Sequence, residues 1–519
     1  MILQKTHSAP PSQTAPTDLE SARPAPERLR RPAGADPQAR LIGAAIVLIG
    51  LALLLRGWLA AALAISDPTE ARYADVAREM AFGPSGWLVP RMADQSAFLA
   101  KPPLATWAAA VGLRLFGLTE LSVRSGSLAA AALMLAVVGW LEPHANRLGR
   151  MVALLALVAT PAWFALSATV ATDAWHALAV SAALACAWRV LGGERSSKVG
   201  WLVGFWAALG VGLLAKGPVT ALLAVLPIAL FAIATGSVRA SFTRLWRLWG
   251  MALAVGIAAP WYLLVERERP GFLDYFVLGE HLRRFVEPGW AGDRYGSAHL
   301  RPMGRIWLDA LMGLFPWALG ALLCGAAYGW RTGTPMRRSR SQTERRMLWL
   351  AAGVVAPLVF FTFARNILWT YCLTAAAPLA LLVGQAAQRN PGKRLAGAVI
   401  AISALMLVVA AAALGTFGAS LANQRSERAL IGRYRELVRT HPAPLVYTYR
   451  PPASASFYAG GAVQAVDDLA QARTRYTDTG SYVVVPNEPA RAGSLPGQDV
   501  QVVGRFHRNT LLWLKGLPF

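Results

Sequence analysis

The chain is 519 residues long, with 55% apolar residues, 15% charged residues and a formal net charge of +23. That apolar excess, at a mean hydropathy of +0.40, excludes a string of ordinary soluble domains. The charge does not point to nucleic acid either, because the arginines lie in short segments between apolar stretches of about 20 residues. They read as the positive-inside loops of a polytopic membrane protein.

In chain order, residues 1–40 are rich in Pro, Ala, Ser and Arg and have no apolar run. A disordered cytoplasmic tail is expected there, held inside by Arg28, Arg30, Arg31 and Arg40. The pattern is not that of a cleaved secretory signal, since the hydrophobic segment comes late and is long. From 41 to 419 the spacing predicts a transmembrane domain of about 11 helices, or up to about 13 with shorter apolar pieces. The first helix, Leu41–Ile65, emerges on the outer side and leaves Ser66–Pro103 there. Thr69–Phe82 and the piece from Pro102 to Phe116 are expected to lie at the interface. Spans follow near 124–140, 151–166, 174–191, 201–215, 218–235 and up to Val265, then a polar outer excursion over Glu266–Arg305. Another span leads to RTGTPMRRSRSQTERR, the most basic loop, and spans near 347–363, 370–387 and 395–418 complete the set. The three cysteines, Cys186, Cys324 and Cys372, all fall in apolar stretches, with no CxxC or zinc spacing.

From Ser420 the composition changes. LVYTYRP, SYVVVP and VQVVGRFHR alternate or run β-branched, with helical pieces at SERALIGRYRELVR and VDDLAQART. The expected fold class is therefore an all-α polytopic membrane protein with a small C-terminal extramembrane α/β domain over 420–519, on the outer side.

The charges concentrate in Ser66–Pro103. Asp67, Pro68 and Glu70 are spaced as a capping arrangement for the helix carrying RYADVAREM, which does not exclude a general-base role for either acid. Arg72, Asp75, Arg78 and Glu79 recur at helical spacing and read as surface ion pairs or headgroup contacts, and Tyr73 as packing. Lys101 stands at a helix start, where the dipole already disfavours a cation, so a bound phosphate is expected beside it. Asp173, between two spans, is a functional candidate or a helix-start residue, and Lys216 at the Lys-Gly-Pro break is a lipid contact or a ligand. Glu280-His281-Leu282-Arg283-Arg284-Phe285 groups donors suited to a phosphate. Arg365 and Tyr371 bracket the last outer loop and complete such a site.

In order, SDPTEARYADVAREM, GWLVPRM, FLAKPPLATW, SVRSGSL, TDAW, LLAKGP, PWYLLVERERPGFLDYFVLGEHLRRF, LFPW and RNILWTYCLTAAAPLALL resemble bacterial polyprenyl-phosphate-dependent glycosyltransferases. These are members of the C-type superfamily that includes 4-amino-4-deoxy-L-arabinose transferases and protein O-mannosyltransferases, and the resemblance covers about 60–385. It implies an inverting transfer of a sugar from undecaprenyl or another polyprenyl phosphate to lipid A or another envelope lipid or glycan. Carried over, Asp67 or Glu70 is the base and Asp173 its supporting acid. Lys101, Arg283 and Arg284 hold the donor phosphate, with Arg72 and Tyr371 as further candidates. The only cofactor it raises is a divalent metal beside His281. Two positions depart from the pattern: Thr69 stands where the relatives carry aspartate, and Ala100 replaces a glutamate that helps bind that metal. The expected partners are the lipid donor, a lipid or glycan acceptor and membrane lipids, with the chain acting as a monomer. Protein O-glycosylation is the alternative activity, and a transporter or flippase the alternative class. Transporters show internal repeats and midplane charges, whereas this chain has no evident repeat and collects its charges at one face.

Overall fold

The computed structural model describes residues 36–84, 86–140, 146–192, 198–296, 299–323, 341–487 and 500–515. Most of the expected tail, the first ten residues of the most basic loop and Cys324 lie outside these residues. The first helix starts at Pro37, four residues before the expected Leu41, because Pro occupies its first position and Asp36 accepts the Gln38 N–H at 3.0 Å.

The helices that matter for the site are α1 (Pro37–Ala62), α2 (Thr69–Phe82), α3 (Leu104–Phe116), α4 (Glu120–Trp140), α5 (Arg147–Val158), α6 (Pro161–Leu166), α7 (Asp173–Leu191), α8 (Lys198–Lys216), α9 (Pro218–Thr235), α10 (Val238–Leu245) and α11 (Leu248–Glu268). Among the described residues nine helices are long and apolar enough to cross a membrane, ten if the pair Arg305–Gly313 and Trp317–Leu323, bent by 113°, is one span. The described residues thus account for fewer spans than the 11–13 expected. The apolar run near 151–166 is divided into α5 and α6 ahead of Pro161, and α3 has only 13 residues. The protein is a multi-pass membrane protein all the same.

Span α7 is enclosed most, with 72% of its apolar window buried. Small residues let its neighbours come close: a Cβ on Gly212 would lie 2.2 Å from Thr220 Cγ2, and one on Gly210 would lie 2.9 Å from the Ala254 carbonyl oxygen. The Lys216–Asp173 pair and the His176–Thr220 contact hold the Pro218 break between α8 and α9 against α7.

Helix α2 differs from expectation. Ten of its 14 residues are buried, so it is no surface helix, and its N-cap position is Pro68 with no side-chain cap. Its charges are internal. Arg78 reaches Asp75 Oδ1 at 2.9 Å and Glu79 Oε2 at 3.0 Å, while Asp75 Oδ2 accepts the Ala93 N–H and Glu79 Oε1 accepts from Gln95. The expected surface pairs instead fasten the loop after α2 from within, which requires each charge to have a partner. Tyr73 packs edge-on against Phe98, as expected.

The C-terminal domain is a five-stranded sheet in the order β2-β1-β3-β5-β4, with β1 Leu445–Tyr447, β2 Gln464–Ala465, β3 Ser481–Pro486, β4 Val500–Arg505 and β5 Asn509–Leu514. Strand β1 is parallel to β2 and β3, with short helices as crossovers, and β5 is antiparallel to β3 and β4. Tyr482 and Val484 pack on one face and Val483 and Val485 on the other, the period-two pattern that SYVVVP predicts when both faces are covered. The helix Ala453–Ala459 packs Phe457 into the α2 cluster and so joins the domain to the membrane part.

Candidate active site

The α8–α9 break builds one end of the site. Gly217 has φ +85°, and a Cβ there would lie 2.8 Å from Phe276 and 2.9 Å from His281 Nε2, so only glycine turns the chain here. Pro218 starts α9. Lys216, left at the end of α8, gives its ammonium to Asp173 Oδ1 at 2.8 Å and lies 4.4 Å from the centre of the Tyr371 ring. His176, one turn into α7, contacts the Thr220 hydroxyl at 2.9 Å.

The other end is a π-helical segment, Asp274–Arg283, in the polar excursion after α11. Its Glu280 carboxylate has no exposure and accepts from Lys101 Nζ at 2.7 Å, Arg284 Nη1 at 3.0 Å and Tyr275 Oη at 2.9 Å. Burial alone would raise the Glu280 pKa; the Lys101 and Arg284 charges outweigh it and hold the carboxyl below its ordinary range. Arg284 also pairs with Asp293 at 3.2 Å. Asn366 fixes this segment from the loop before Trp369, donating to the carbonyls of Arg284 and Glu287 at 2.6 Å each and accepting the Gly289 N–H at 3.0 Å.

Between these ends lies a cavity of about 250 Å³. Lys101, Lys216, Arg284, Glu280, His281 and Tyr371 form its polar side; Val219, Leu222, Phe285, Phe360, Phe361 and Ala364 form an apolar wall. Phe285 and Phe360 stack with ring centres 4.8 Å apart.

The structure thus brings Lys101, Arg284, His281 and Tyr371 together, with Asp173 behind Lys216. It does not bring the others. Arg283 is exposed and Arg72 half-buried, and both lie outside the lining. Glu70 is bound by Arg124, with 2.8 Å contacts from both Nε and Nη2. Asp67 is bound by Ser454 of the C-terminal domain, and this explains why it does not cap α2. Arg365 contributes its backbone N–H to the Phe285 carbonyl at 3.1 Å.

Sequence reasoning assigned no role to Asn366 or His176. The only signal for Asn366 was an amide beside Arg365 in a short loop between spans. Glu280 stood in the donor-rich excursion without a role of its own.

The residues present do not fit the metal expected beside His281. Its Nδ1 lies 2.8 Å from the Phe276 carbonyl and its Nε2 lies 3.1 Å from the Lys216 carbonyl, so neither nitrogen has a free lone pair direction toward the cavity. Burial lowers its pKa, which favours the neutral ring donating to one carbonyl at a time. Among the described residues there is no group of three His, Cys, Asp or Glu that would hold an ion.

Residues 100–263 match the family model described as dolichyl-phosphate-mannose-protein mannosyltransferase. The undecaprenyl phosphate-alpha-4-amino-4-deoxy-L-arabinose arabinosyl transferase of Yersinia pestis (strain Pestoides F) is 31% identical over 321 residues, 61% of this chain and 54% of that one. A like-named transferase of Sodalis glossinidius (strain morsitans) is 31% identical over 325 residues, with the same coverage. The chain spans about half the length of the curated relatives it matches. Among solved structures, ArnT from Cupriavidus metallidurans bound to undecaprenyl phosphate superposes with a TM-score of 0.69 at 21% identity, covering 91% of this chain and 98% of that one. The chain has the ArnT fold. The apo form of the same ArnT gives a TM-score of 0.71 at 20% identity, with the same coverage. The resemblance to polyprenyl-phosphate glycosyltransferases read from the ordered motifs is upheld, and the ArnT likeness extends past those motifs into the C-terminal domain.

Proposed function

We propose that this protein is a glycosyltransferase of the bacterial inner membrane. It takes 4-amino-4-deoxy-L-arabinose or a related sugar from undecaprenyl or another polyprenyl phosphate and passes it to lipid A or another envelope acceptor. In this reading the N-terminus is cytoplasmic, and the cavity and residues 420–519 face the periplasm.

One observation carries the reading: three cations, Lys101, Lys216 and Arg284, line one cavity together with Val219, Leu222, Phe285, Phe360 and Phe361. That combination suits an anionic headgroup on a hydrocarbon chain. The phosphate takes the cations, and the first prenyl units lie along Phe285, Phe360 and Leu222. As the bond from sugar to phosphate oxygen breaks, negative charge grows on the leaving phosphate, and fixed cations there lower the barrier. The acceptor oxygen attacks from the opposite face and inverts the anomeric centre.

The base needs less of the protein than the resemblance implies. Asp67 and Glu70 are bound elsewhere, while Asp173 and Glu280 are ion-paired. A hydroxyl acceptor would need one of them freed to take its proton. A phosphate acceptor is already an oxyanion at neutral pH, and this arrangement favours it. Asp173 serves by holding Lys216.

Purified protein reconstituted with an undecaprenyl-phosphate aminoarabinose donor and lipid A should produce lipid A heavier by one sugar in mass spectrometry. Failure to bind undecaprenyl phosphate at all would overturn the reading. Transfer to a protein with none to lipid A would replace the acceptor.

A further inference from the structure

Glu70 sits in the outer loop expected to carry the base, yet its carboxylate faces a buried arginine. Arg124 donates Nε to Glu70 Oε1 and Nη2 to Oε2, each at 2.8 Å. Its remaining donors go to the end of α1: Nη1 to the Ala60 carbonyl at 2.8 Å and to the Leu63 carbonyl at 2.5 Å, and Nη2 to the Ala64 carbonyl at 3.2 Å. Carbonyls at a helix end lack intrahelical partners, so five donors meet five acceptors and the guanidinium has no freedom left. Glu70 Oε1 takes a further donor, the Val170 N–H at 3.3 Å.

Val170 belongs to the connection between α6 and α7, which is held along its length. Arg56 anchors the end of α6, donating to the Phe164 carbonyl at 2.6 Å and the Ala165 carbonyl at 2.9 Å; within the connection Arg56 Nε reaches the Ser167 hydroxyl at 3.3 Å and the Ser127 hydroxyl donates to the Thr169 carbonyl at 2.7 Å. This connection ends at Thr172, which makes no side-chain cap bond to α7. The start of α7 is therefore located by its tethers and not by a cap of its own. The first residue it delivers is Asp173, three positions after Val170, which holds Lys216 at the cavity.

We infer that Glu70 is a positioning residue: through Val170 it sets the first turn of α7, and hence the Asp173–Lys216 pair, and it exchanges no proton with the acceptor. The inference rests on the proposed sugar transfer for its kinetic readout. A bidentate carboxylate–guanidinium pair with every donor used has a defined geometry, which is what setting a helix start requires.

The test is a double-mutant cycle on the full chain in nanodiscs. Glu70→Gln keeps an acceptor for Val170 but weakens the hold on Arg124. It should lower kcat about tenfold in the native background and less than about twofold in an Asp173→Asn background, since both act through one pair. The acid limb of the kcat–pH profile should survive in Glu70→Gln; its disappearance would make Glu70 the base and overturn the inference, as would equal losses in the two backgrounds. Should Glu70→Gln not fold, Ser127→Ala, which removes the bond to Thr169, should show the same non-additivity, and simple additivity there would overturn the inference. Should the native protein transfer no sugar from any polyprenyl phosphate, the proposed function fails but this inference is still decided by hydrogen exchange in whichever of the two variants folds. Faster exchange confined to residues 167–172 supports it, and unchanged exchange there sinks it.

Discussion

Both carboxylate oxygens of Asp67 are held by Ser454, 387 residues further along the chain. Oδ1 accepts the Ser454 N–H at 3.1 Å and Oδ2 its hydroxyl, while the same hydroxyl oxygen accepts the Glu427 N–H at 3.1 Å. The Asp67 N–H in turn meets the Arg425 carbonyl at 2.8 Å. Tyr458 adds a second fastening, accepting the Ile65 N–H at 2.8 Å and donating to Glu120 at 3.0 Å. The acid that resemblance would make a base is the clasp of the C-terminal domain.

Replacing Asp67 by alanine should orphan the buried Ser454 donors and cost about 1–3 kcal/mol at this junction. Limited trypsinolysis at Arg425 and Arg428 should speed up accordingly. Asp67→Asn still offers an acceptor, so it should retain sugar transfer, measured with purified protein. Complete loss of transfer with an intact junction would restore Asp67 as the base.

The same junction should weaken as pH rises. Glu427 is almost fully buried, and burial first, with Asp67 adding to it against the opposing bonds from Tyr447 and Asn509, pushes its pKa from 4.5 to about 7. A folded pKa raised above the unfolded one gives stability that is complete below about 4.5 and lost as pH climbs through about 7. The full effect is about 3 kcal/mol. Thermal melts of the domain's near-ultraviolet signal at pH 5 and pH 8 should differ in that direction, and Glu427→Gln should flatten the difference. Greater stability at pH 8 would contradict the assignment.

At the cavity, Lys101→Ala removes the cation nearest the buried Glu280. Two effects follow: the donor phosphate loses a partner, and Glu280 keeps only Arg284 and Tyr275. Affinity for undecaprenyl phosphate should fall about tenfold or more, as expected for a lost charge-assisted bond. Because Glu280 is held low mainly by this lysine against burial, its stabilising effect is lost as pH falls, and the variant should suffer that loss at a higher pH than the native protein. Calorimetric titration at pH 7 and pH 5 reads both, and unchanged affinity at pH 7 would remove Lys101 from the phosphate site.

Gly217→Ala tests the turn that presents Lys216. A methyl at φ +85° meets Phe276 and His281 within 3 Å, so the variant should lose about 1–3 kcal/mol and displace the α8 end. Donor affinity should fall with it. A variant with native melting temperature and native affinity would show that the break tolerates a side chain.

The apolar spans, the interruption at Lys216-Gly217-Pro218 and the strands of the last hundred residues were legible because each is written in neighbouring positions. Hydropathy over about 20 residues, a Gly-Pro pair and a period of two are local signals. The ordered motifs likewise pointed to Lys101, Arg284, His281 and Tyr371, which do share one cavity. Asn366 escaped because nothing in its vicinity announces that its amide will span the carbonyls of residues 284 and 287. The run near 151–166 read as one span because a run of apolar residues does not reveal that α5 stops at Val158.

Composition and motif order by themselves determined that this is a multi-pass membrane protein with an α/β domain at the C-terminal end and charges concentrated in Ser66–Pro103. Only the tertiary structure decided what each charge does. Arg124 lies 54 residues from Glu70, Glu280 lies 179 from Lys101, and Ser454 lies 387 from Asp67. A buried charge is tolerated only with a partner, and partners brought together from distant positions by packing leave no periodic trace in the chain. The same acids therefore read alike in the sequence, and packing made one a clasp, one a tether and one the hold on a cavity lysine.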